Sequence, residues 1–485
     1  EHAGISEKLN DANVVGVVRG MDVDPVIRFH AGFYHGVKLV NPQCEVLSGT
    51  VGGFDDPDGG KTIALDMIDQ GADIVFNVAG ASGDGVLEAA DEEGVLAIGV
   101  DVDQNALYPE SVVTSAMKRL DNAVMGLVED WVAGTLAGGE SMVLGMSEEA
   151  TGIAPFHGFE ELIPEEVQEK LTDYETRLRD GTLPGRIPTN MEDAETVPVG
   201  VATVLEGSLS SYGVPMARAM RLLVDSVNAE GGVLDGRLLQ LIEMDDGCSS
   251  DTAPTVAQDL IDAGSVAVIG HLCSGATGAA LPVYKDAGHL VISPTATRIS
   301  LTVDGEYPTF FRTIAHDGVV MDAAIEYARS DLQVTGLALL RDTSLSDQAM
   351  EIIERGRDSI NGDEELSLVV DQEVDVAVDF SALRSEIAGS TAGALLFLGE
   401  SADGAALLNA LRDDSIAIPF LFMGTEDQSG DAFVEAVGTN SADVYVASMI
   451  DGTDAQEASG VLQAHQEEYG EAAGPYFLNA YAAGE

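Results

Sequence analysis

The sequence has little positive charge, few cysteines and no long hydrophobic run. Lys and Arg number 23 against 83 Asp and Glu, which gives a formal net charge of −60. This charge excludes general nucleic-acid binding, because the phosphates would be repelled, and it disfavours an anionic membrane surface as a direct partner. Since no stretch approaches the roughly 18 consecutive apolar residues that a membrane span needs, the sequence predicts no membrane insertion.

The acidic residues are spread through periodic apolar sequence instead of forming a tail. They therefore predict a solvated, strongly acidic surface on a folded protein. An acidic excess with few lysines favours a high-salt, halophilic habitat, where counterions screen the self-repulsion. The length of 485 residues and the 45% hydrophobic content predict more than one domain with a sizeable core.

Short apolar runs alternate with helical patterns along the whole chain, which predicts α/β modules with parallel sheets and helices on both faces. The first module covers 1–187, a polar, aperiodic linker covers 188–196, and the second module covers 197–485. In the first module the predicted strands are 13–18, 45–50, 73–78 and 97–100. In the second they are 197–204, 238–242, 266–269, 290–292, 336–340, 367–370, 394–398, 420–422 and 444–447.

The stretch from Ser265 to Thr302 carries the clearest chemical pattern. It reads as strand, hydroxyl-rich turn (273–277), helix (278–287), strand and a second polar turn (293–297). Both turns follow strands, where ligands bind in an open α/β sheet, and the first exposes backbone N–H groups at a helix start. Together they can hold a carboxylate without a basic side chain. The alternative is that the hydroxyls only cap the helix.

Two glycine-rich segments are similar to cofactor loops but fail in detail, so we expect no cofactor. Gly59-Gly60-Lys61-Thr62 has Asp55 where a phosphate loop needs glycine, and the nearby acids would repel phosphate. The segment 80–85 follows a strand, yet its glycine spacing is wrong for a dinucleotide fold. Asp101, Lys118 and Glu426 are the candidates for catalysis, but no nucleophile–base pair or metal cluster stands out, and we expect no enzyme.

The motifs GHLCSGAT (270–277) and LVISPTAT (290–297) resemble the leucine/isoleucine/valine-binding receptors of branched-chain amino acid ABC transporters. The resemblance runs from about residue 197 to the end of the chain and is looser in its second half. It implies a type I periplasmic-binding-protein fold with a two-lobed cleft. By the same resemblance, Ser274, Thr295 and Thr297 hold the carboxylate and ammonium of the ligand, Tyr212 lies at the cleft, and Glu426 is the counter-charge.

One departure from this family concerns the second lobe. Its receptors close an aromatic wall over an aliphatic side chain, whereas the corresponding loops here, 342–346 and 399–401, contain no tyrosine. A bulkier or more polar ligand than leucine is therefore expected.

The chain has three cysteines, and the resemblance bears on two of them. Cys248 is predicted to start a helix and Cys273 to end the next strand, and the resembled receptors pair the cysteines at these places. We therefore expect a Cys248–Cys273 disulfide with Cys44 free, and hence an oxidising, extracytoplasmic compartment. The alternative is two buried thiols.

The first module resembles the basic membrane lipoprotein family of purine-nucleoside receptors over about residues 12–188. The resemblance rests on Gly20-Met21-Asp22, FYHGVK (33–38), Ala79-Gly80, IGVDVDQ (98–104) and VTSAMKR (113–119). It implies that Phe76 stacks on a base, Gly80 admits the ligand closely, and Asp101 and Lys118 bind ribose hydroxyls or base edges. Without it, the residues alone favour a helix cap for Asp101 and a surface charge for Lys118. The family carries a further lobe before these residues, so we expect an incomplete first cleft.

These observations predict an extracytoplasmic solute-binding protein that works with an ABC permease. Its second module would bind an amino acid or related polar solute, and its first a nucleoside. The chain opens in what resembles mid-domain sequence, so we expect a truncated or processed start with a lipid anchor before it, and a short missing piece after residue 485. The alternatives are the ligand-sensing region of a signalling receptor and, from another class, a nucleoside- or amide-processing enzyme.

The charge of −60 generates a first testable prediction. Molar KCl should raise the urea midpoint of unfolding, because it screens like charges that repel one another in the compact state. Urea titrations in low and high KCl measure the effect. Equal midpoints would contradict the halophile hypothesis.

Overall fold

The computed structural model divides the chain into two compact units. One comprises Glu1–Pro198 with Val224–Leu241, and the other comprises Val199–Leu223 with Ile242–Glu485. The structure describes residues 5, 8–136, 139, 142–185, 187–234, 236–303, 305–343, 346–375, 381–424, 429–447 and 459–485.

The first unit contains one six-stranded sheet in the order β2-β1-β3-β4-β5-β6. Strands β1 to β5 are parallel, and β6 pairs antiparallel with β5. The strands are β1 Val14–Arg19, β2 Glu45–Thr50, β3 Ala72–Val78, β4 Leu96–Asp101, β5 Val112–Lys118 and β6 Thr151–Ile153. The helices are α1 Asp24–Val40, α2 Pro57–Asp69, α3 Gly83–Glu93, α4 Leu120–Ala133, α5 Glu165–Asp180 and α6 Met191–Ala194.

Successive residues of these strands enter two different cores, so helices cover both faces of the sheet. Val18 and Val75 pack against α2 and α3, whereas Val17 and Phe76 pack against α1. Because side chains alternate along a strand, this division explains why the strands are apolar throughout. Helices α4 and α5 differ from the other helices here, because none of their residues is buried.

Two further sheets, each of five strands, follow in the chain. The sheet of lobe A has the order β11-β10-β9-β7-β8, and the sheet of lobe B has the order β13-β12-β14-β15-β16. The strands of lobe A are β7 Val197–Thr203, β8 Leu239–Asp245, β9 Ala267–Gly270, β10 Leu290–Ser293 and β11 Phe310–Arg312. Those of lobe B are β12 Gly336–Asp342, β13 Ser367–Val374, β14 Ala394–Gly399, β15 Phe420–Gly424 and β16 Val444–Ala447, all parallel.

The helices of this part follow the same alternation. They are α7 Ser210–Ala229, α8 Ala253–Asp262, α9 Ser274–Ala287, α10 Ser300–Val303, α11 Gly318–Ser330, α12 Asp347–Gly362, α13 Ser381–Gly389, α14 Ser401–Asp413, α15 Ser429–Val437, α16 Ser459–Tyr469 and α17 Phe477–Gly484. In lobe B, Leu337 and Leu339 enter a core with α11 and α12, whereas Leu340 and Phe397 enter a second core with α14. The predicted α/β class with parallel sheets and helices on both faces is thereby confirmed.

Two local predictions are corrected by the structure, and some strands were missed. Cys248 does not start a helix but lies in the turn before α8, with φ +60°. Tyr212 lies in the first turn of α7, although the polar sequence of 206–213 predicts a loop. Strands β5, β6 and β11 were not predicted. Strand β6, for example, has three residues with one isoleucine, which give no strand pattern. Within the described residues, no helix is long and apolar enough to cross a membrane.

Cys248 and Cys273 form a disulfide that joins the turn after β8 to the start of α9, with Cα atoms 5.4 Å apart. Cys44 is a buried free thiol. The bond closes a loop across the edge of lobe A from which α8 and α9 begin.

Reducing this disulfide should destabilise the protein. A loop with a sequence separation of 25 residues is cross-linked, and releasing it should cost about 3 kcal/mol through the entropy of the unfolded chain. Urea unfolding with and without a reductant measures the loss, and peptide mapping without reduction checks the pairing. The Cys248→Ser/Cys273→Ser variant is the control, because it should not respond to the reductant. Three free thiols in the secreted protein would contradict the pairing.

Candidate functional site

The candidate site lies where β9 and β10 end side by side at the carboxyl edge of lobe A. The two strands are parallel and pair directly. Helix α9 begins at Ser274, and its N-cap Cys273 makes no side-chain capping hydrogen bond. The first N–H groups of a helix lack partners within the helix and carry partial positive charge, so this start offers donors to an anion.

Ser274 joins the two predicted turns. Its Oγ accepts hydrogen bonds from the backbone N–H of Thr297 at 3.1 Å and of Arg298 at 3.2 Å. Ser274 is thus the first helical residue and not the N-cap, which argues against the alternative that its hydroxyl only caps the helix. The structure brings Ser274 and Thr297 together as the sequence predicts.

Thr295 is turned towards the backbone in this structure. Its Oγ1 donates to the carbonyl oxygens of Leu272 at 2.6 Å and His271 at 3.3 Å. Ser293 also bonds to the backbone: its Oγ accepts a hydrogen bond from Ala296 N–H at 2.9 Å and donates one to His271 O at 3.0 Å. Through these hydrogen bonds, Thr295 and Ser293 hold the backbone of the second turn in place.

Lobe B reaches this turn through helix α12. Gln348 Nε2 donates to Thr297 Oγ1 at 3.4 Å and to Asp317 Oδ2 at 2.7 Å. Close by, Glu351 accepts hydrogen bonds from Arg298 Nε at 2.6 Å and Ser300 N–H at 2.9 Å. Burial alone would raise the pKa of Glu351, but the hydrogen bonds from Arg298 and Ser300 outweigh it and lower that pKa.

The remaining predicted residues of this module are placed only in part. Tyr212 is half-buried beside Tyr476, with ring centres 6.1 Å apart, and packs against the cluster that contains Leu272. Glu426 lies outside the described residues.

A pair of carboxyl groups lies at the carboxyl edge of lobe B. Asp342 ends β12, and Asp403 lies in the first turn of α14, after β14. Burial, the hydrogen bond with Asp342, and the charges of Asp342 and Glu400 raise the pKa of Asp403 to about 6. This edge therefore concentrates acidic groups at the strand ends of lobe B.

The first unit gathers three of its four predicted residues at the carboxyl ends of neighbouring strands. Asp101 ends β4 and forms an ion pair with Lys118, whose Nζ lies 3.0 Å from Asp101 Oδ1. Gly80 follows β3 with φ +57°. Phe76 does not join them. It is only 3% exposed and packs against Phe29 and Phe33 in the core, so a base has no access to its ring.

Two features lie apart from these predictions. No sequence pattern selects Gln348, because a single glutamine in a helix is not distinctive.

A cavity of about 940 Å³ runs between α11 and β16, next to Tyr327 and Tyr445, and none of the described ligand candidates lines it. Among the described residues, no group of three or more His, Cys, Asp or Glu is placed to hold a metal ion.

Paired α/β lobes with polar turns at the strand ends define a class of solute-binding proteins, and the family comparison agrees with it. Residues 196–485 match the family described as periplasmic binding protein, and residues 3–190 match the family described as ABC transporter substrate-binding protein PnrA-like. Since the first match covers more than half of the chain, the chain belongs to the periplasmic binding proteins. Both families consist of substrate-binding proteins and not of enzymes.

Individual relatives match one part of the chain each. Basic membrane protein D of Borreliella burgdorferi (strain JD1) is 38% identical over 154 residues, which is 31% of this chain and 44% of that protein. The Leu/Ile/Val-binding protein of Escherichia coli (strain K12) is 34% identical over 154 residues, 32% of this chain and 41% of that protein. The chain thus spans about half the length of the curated relatives that it matches.

Solved structures resemble the second part of the chain. A putative branched-chain amino acid ABC transporter from Rhodospirillum rubrum shares 24% identity with a TM-score of 0.49, and the match covers 60% of this chain and 82% of that one.

The Asp342–Asp403 pair predicts a pH dependence of stability. The pKa of Asp403 is raised to about 6 in the folded state from an ordinary value of 3.8. Between these two pH values, the folded protein therefore holds a proton that the unfolded chain has lost. The resulting stabilisation is complete below about pH 4 and disappears as the pH rises through about 6. Asp403→Asn should therefore unfold at higher urea than the wild type at pH 7.5, and the difference should shrink at pH 4.

Asp413→Asn, an exposed change on the same helix, is the matched control for the general effect of removing one negative charge. An equal gain from both variants at pH 7.5 would contradict the raised pKa of Asp403.

Proposed function

We propose that this protein is an extracytoplasmic receptor that binds a zwitterionic amino acid, or a close relative of one, in the module 197–485. The single observation that carries this proposal is the pair of hydrogen bonds that Ser274 Oγ accepts from the amides of Thr297 and Arg298, at a start of α9 that no side chain caps. It gathers hydroxyls and backbone N–H groups of two turns at one point.

The carboxylate end of the ligand is assigned to lobe A. Ser274 and the N–H groups at the start of α9 donate hydrogen bonds, and the helix terminus adds favourable charge. Thr295, whose hydroxyl donates to the backbone carbonyls of Leu272 and His271, holds the second turn beside them. Arg298 is engaged with Glu351 in the structure, so an anion here depends on neutral donors. Such donors suit a single carboxylate and hold a doubly charged phosphate less well.

The ammonium end of the ligand is assigned to acidic groups of lobe B and to Thr297. Gln348 of α12 contacts Thr297, and Asp342, at the end of β12, precedes Gln348 by six positions along the chain. Glu426, which follows β15, is proposed as the direct counter-charge. A carboxylate is needed because an ammonium group taken out of water without an ionised partner binds poorly.

The side-chain preference should differ from that of leucine receptors. The loops at the ends of β12 and β14 carry Asp342, Glu400 and Asp403 instead of an aromatic wall. A polar or bulky side chain is therefore the better fit.

The first module, 1–187, is proposed to be nucleoside-receptor-like, with Gly80, Asp101 and Lys118 as its ligand candidates and 188–196 as the linker. Phe76 is not among these candidates, because its ring is buried. Helix α4 exposes Leu120, Trp131 and other apolar side chains, which supports the expectation that this module forms an incomplete cleft.

Transport by an ABC permease is the proposed role, because the family that residues 3–190 match is described as an ABC transporter substrate-binding protein. The disulfide supports an extracytoplasmic location, and we propose a lipid anchor on the full protein. The ligand-sensing region of a signalling receptor remains the second candidate, since it would use the same fold with a different partner.

A thermal-shift screen of amino acids and nucleosides tests the proposal. A ligand that binds only the folded state raises the unfolding midpoint, by an amount equivalent to about 2.7 kcal/mol at a hundredfold excess over Kd. At least one amino acid should raise it, and a screen without any amino acid response would contradict the proposal.

Glu426→Gln tests the counter-charge with the ligand found by that screen. Leaving the ammonium unpaired should cost roughly 2–5 kcal/mol of binding free energy, measured by calorimetry, with an unchanged melting profile. Glu435→Gln on α15 makes the same charge change at an exposed position and should bind like the wild type. Wild-type affinity in Glu426→Gln would remove the assignment.

A further inference from the structure

A buried polar network lies directly beneath the candidate site in lobe A. His271, the residue after β9, has no exposed side-chain surface, and Asp246 and Tyr284 are each 1% exposed. His271 Nδ1 lies 2.5 Å from Asp246 Oδ2, and His271 Nε2 lies 3.1 Å from the Tyr284 hydroxyl. Neither the sequence motifs nor the resemblance assigned these three residues a role.

The donors and acceptors of this network can be assigned from chemistry. A carboxylate only accepts hydrogen bonds, so Nδ1 carries the proton that points to Asp246. Burial, and then the charge of Asp246, raise the pKa of Tyr284, so its hydroxyl keeps its proton. The Tyr284 hydroxyl can then donate to Nε2, so that both ring nitrogens of His271 are hydrogen-bonded.

The network is attached to three separate elements. Asp246 N–H donates to the carbonyl oxygen of Thr203 at the end of β7, and Asp246 Oδ1 accepts from Cys248 N–H at 2.7 Å. Tyr284 belongs to the buried face of α9. His271 is therefore held between the strand edge, the disulfide turn and the helix whose start is proposed to bind the carboxylate.

The backbone of His271 in turn holds the second polar turn. Its carbonyl oxygen accepts hydrogen bonds from Ser293 Oγ at 3.0 Å and Thr295 Oγ1 at 3.3 Å. These are the hydroxyls that shape the segment leading to Thr297. A shift of the His271 side chain would thus move both turns at once, because the residue connects to each of them.

We propose that the Asp246–His271–Tyr284 network positions the two ligand-binding turns, so that His271 and Tyr284 are positioning residues for ligand affinity without touching the ligand. The ligand part of this inference rests on the proposed function. The geometric part, that the network holds the turn 293–298 in place, stands without it.

The variant Tyr284→Phe tests the inference with the smallest change, because it removes one hydroxyl and keeps the ring in the core. It leaves Nε2 of His271 without its donor. Ser265→Ala is the matched control. It removes the hydrogen bond between Ser265 Oγ and His289 Nε2, 3.1 Å long, which links the segments before the same two strands at the opposite edge of the sheet.

Two readouts on the full chain separate positioning from general stability. By hydrogen–deuterium exchange, the amides of Ala296, Thr297 and Arg298 should exchange faster in Tyr284→Phe and remain as in the wild type in Ser265→Ala. By calorimetry, with the amino acid found in the thermal-shift screen, affinity should fall roughly five- to tenfold in Tyr284→Phe, as for the loss of one hydrogen bond. The control should bind like the wild type although its melting temperature falls comparably.

Unchanged exchange at residues 296–298 in Tyr284→Phe would overturn the inference, whether or not a ligand is known. Unchanged affinity with a lowered melting temperature would also overturn it, because the network would then only stabilise the fold. If no amino acid binds the wild type, the proposed function fails but the exchange experiment still decides the geometric part. Asp246→Asn is the second variant for the same readouts, should Tyr284→Phe not fold.

Discussion

The pairing of β9 with β10 is the constraint on which the candidate site depends. Because the strands are parallel neighbours, their turns meet at one edge, and the Ser274 hydroxyl can bind the amides of the second turn. The Cys248–Cys273 disulfide and the buried His271 support that edge from the adjacent segments. A site made of neutral donors needs such support, since hydrogen bonds lose strength quickly when distance or angle is wrong.

The division of charge over the second module follows from the same architecture. Lobe A offers hydroxyls and a helix start, whereas the edge of lobe B offers Asp342 and Asp403. A zwitterion has two charged ends of opposite sign, and two facing lobes are a simple way to meet both. Gln348 and Glu351 are the described side chains of α12 that connect lobe B to this turn in the structure.

The sequence predicted the strands well because a buried parallel strand is apolar at every position, and most predicted strands agree with the structure to within a few residues. Helix starts were predicted less well. Helix α9 begins at Ser274 and not at Gly278, since a hydroxyl-rich turn and a first helical turn have the same composition. The contacts of Ser274, Gln348 and His271 join residues 13 to 51 positions apart. No local pattern encodes such contacts, so only the fold reveals them. For Phe76, a strand position alternating into the core outweighed the role implied by resemblance.

A backbone amide NMR titration tests the central claim most directly. Adding the amino acid that gives the largest thermal stabilisation should shift the amide signals of Gly275, Ala276 and Thr297 saturably, with one common affinity. The amides of Gly275 and Ala276 lie at the start of α9, and that of Thr297 is bonded to Ser274, so all three must respond if the ligand binds there. Saturable binding that leaves these three signals unchanged and shifts others would contradict the account.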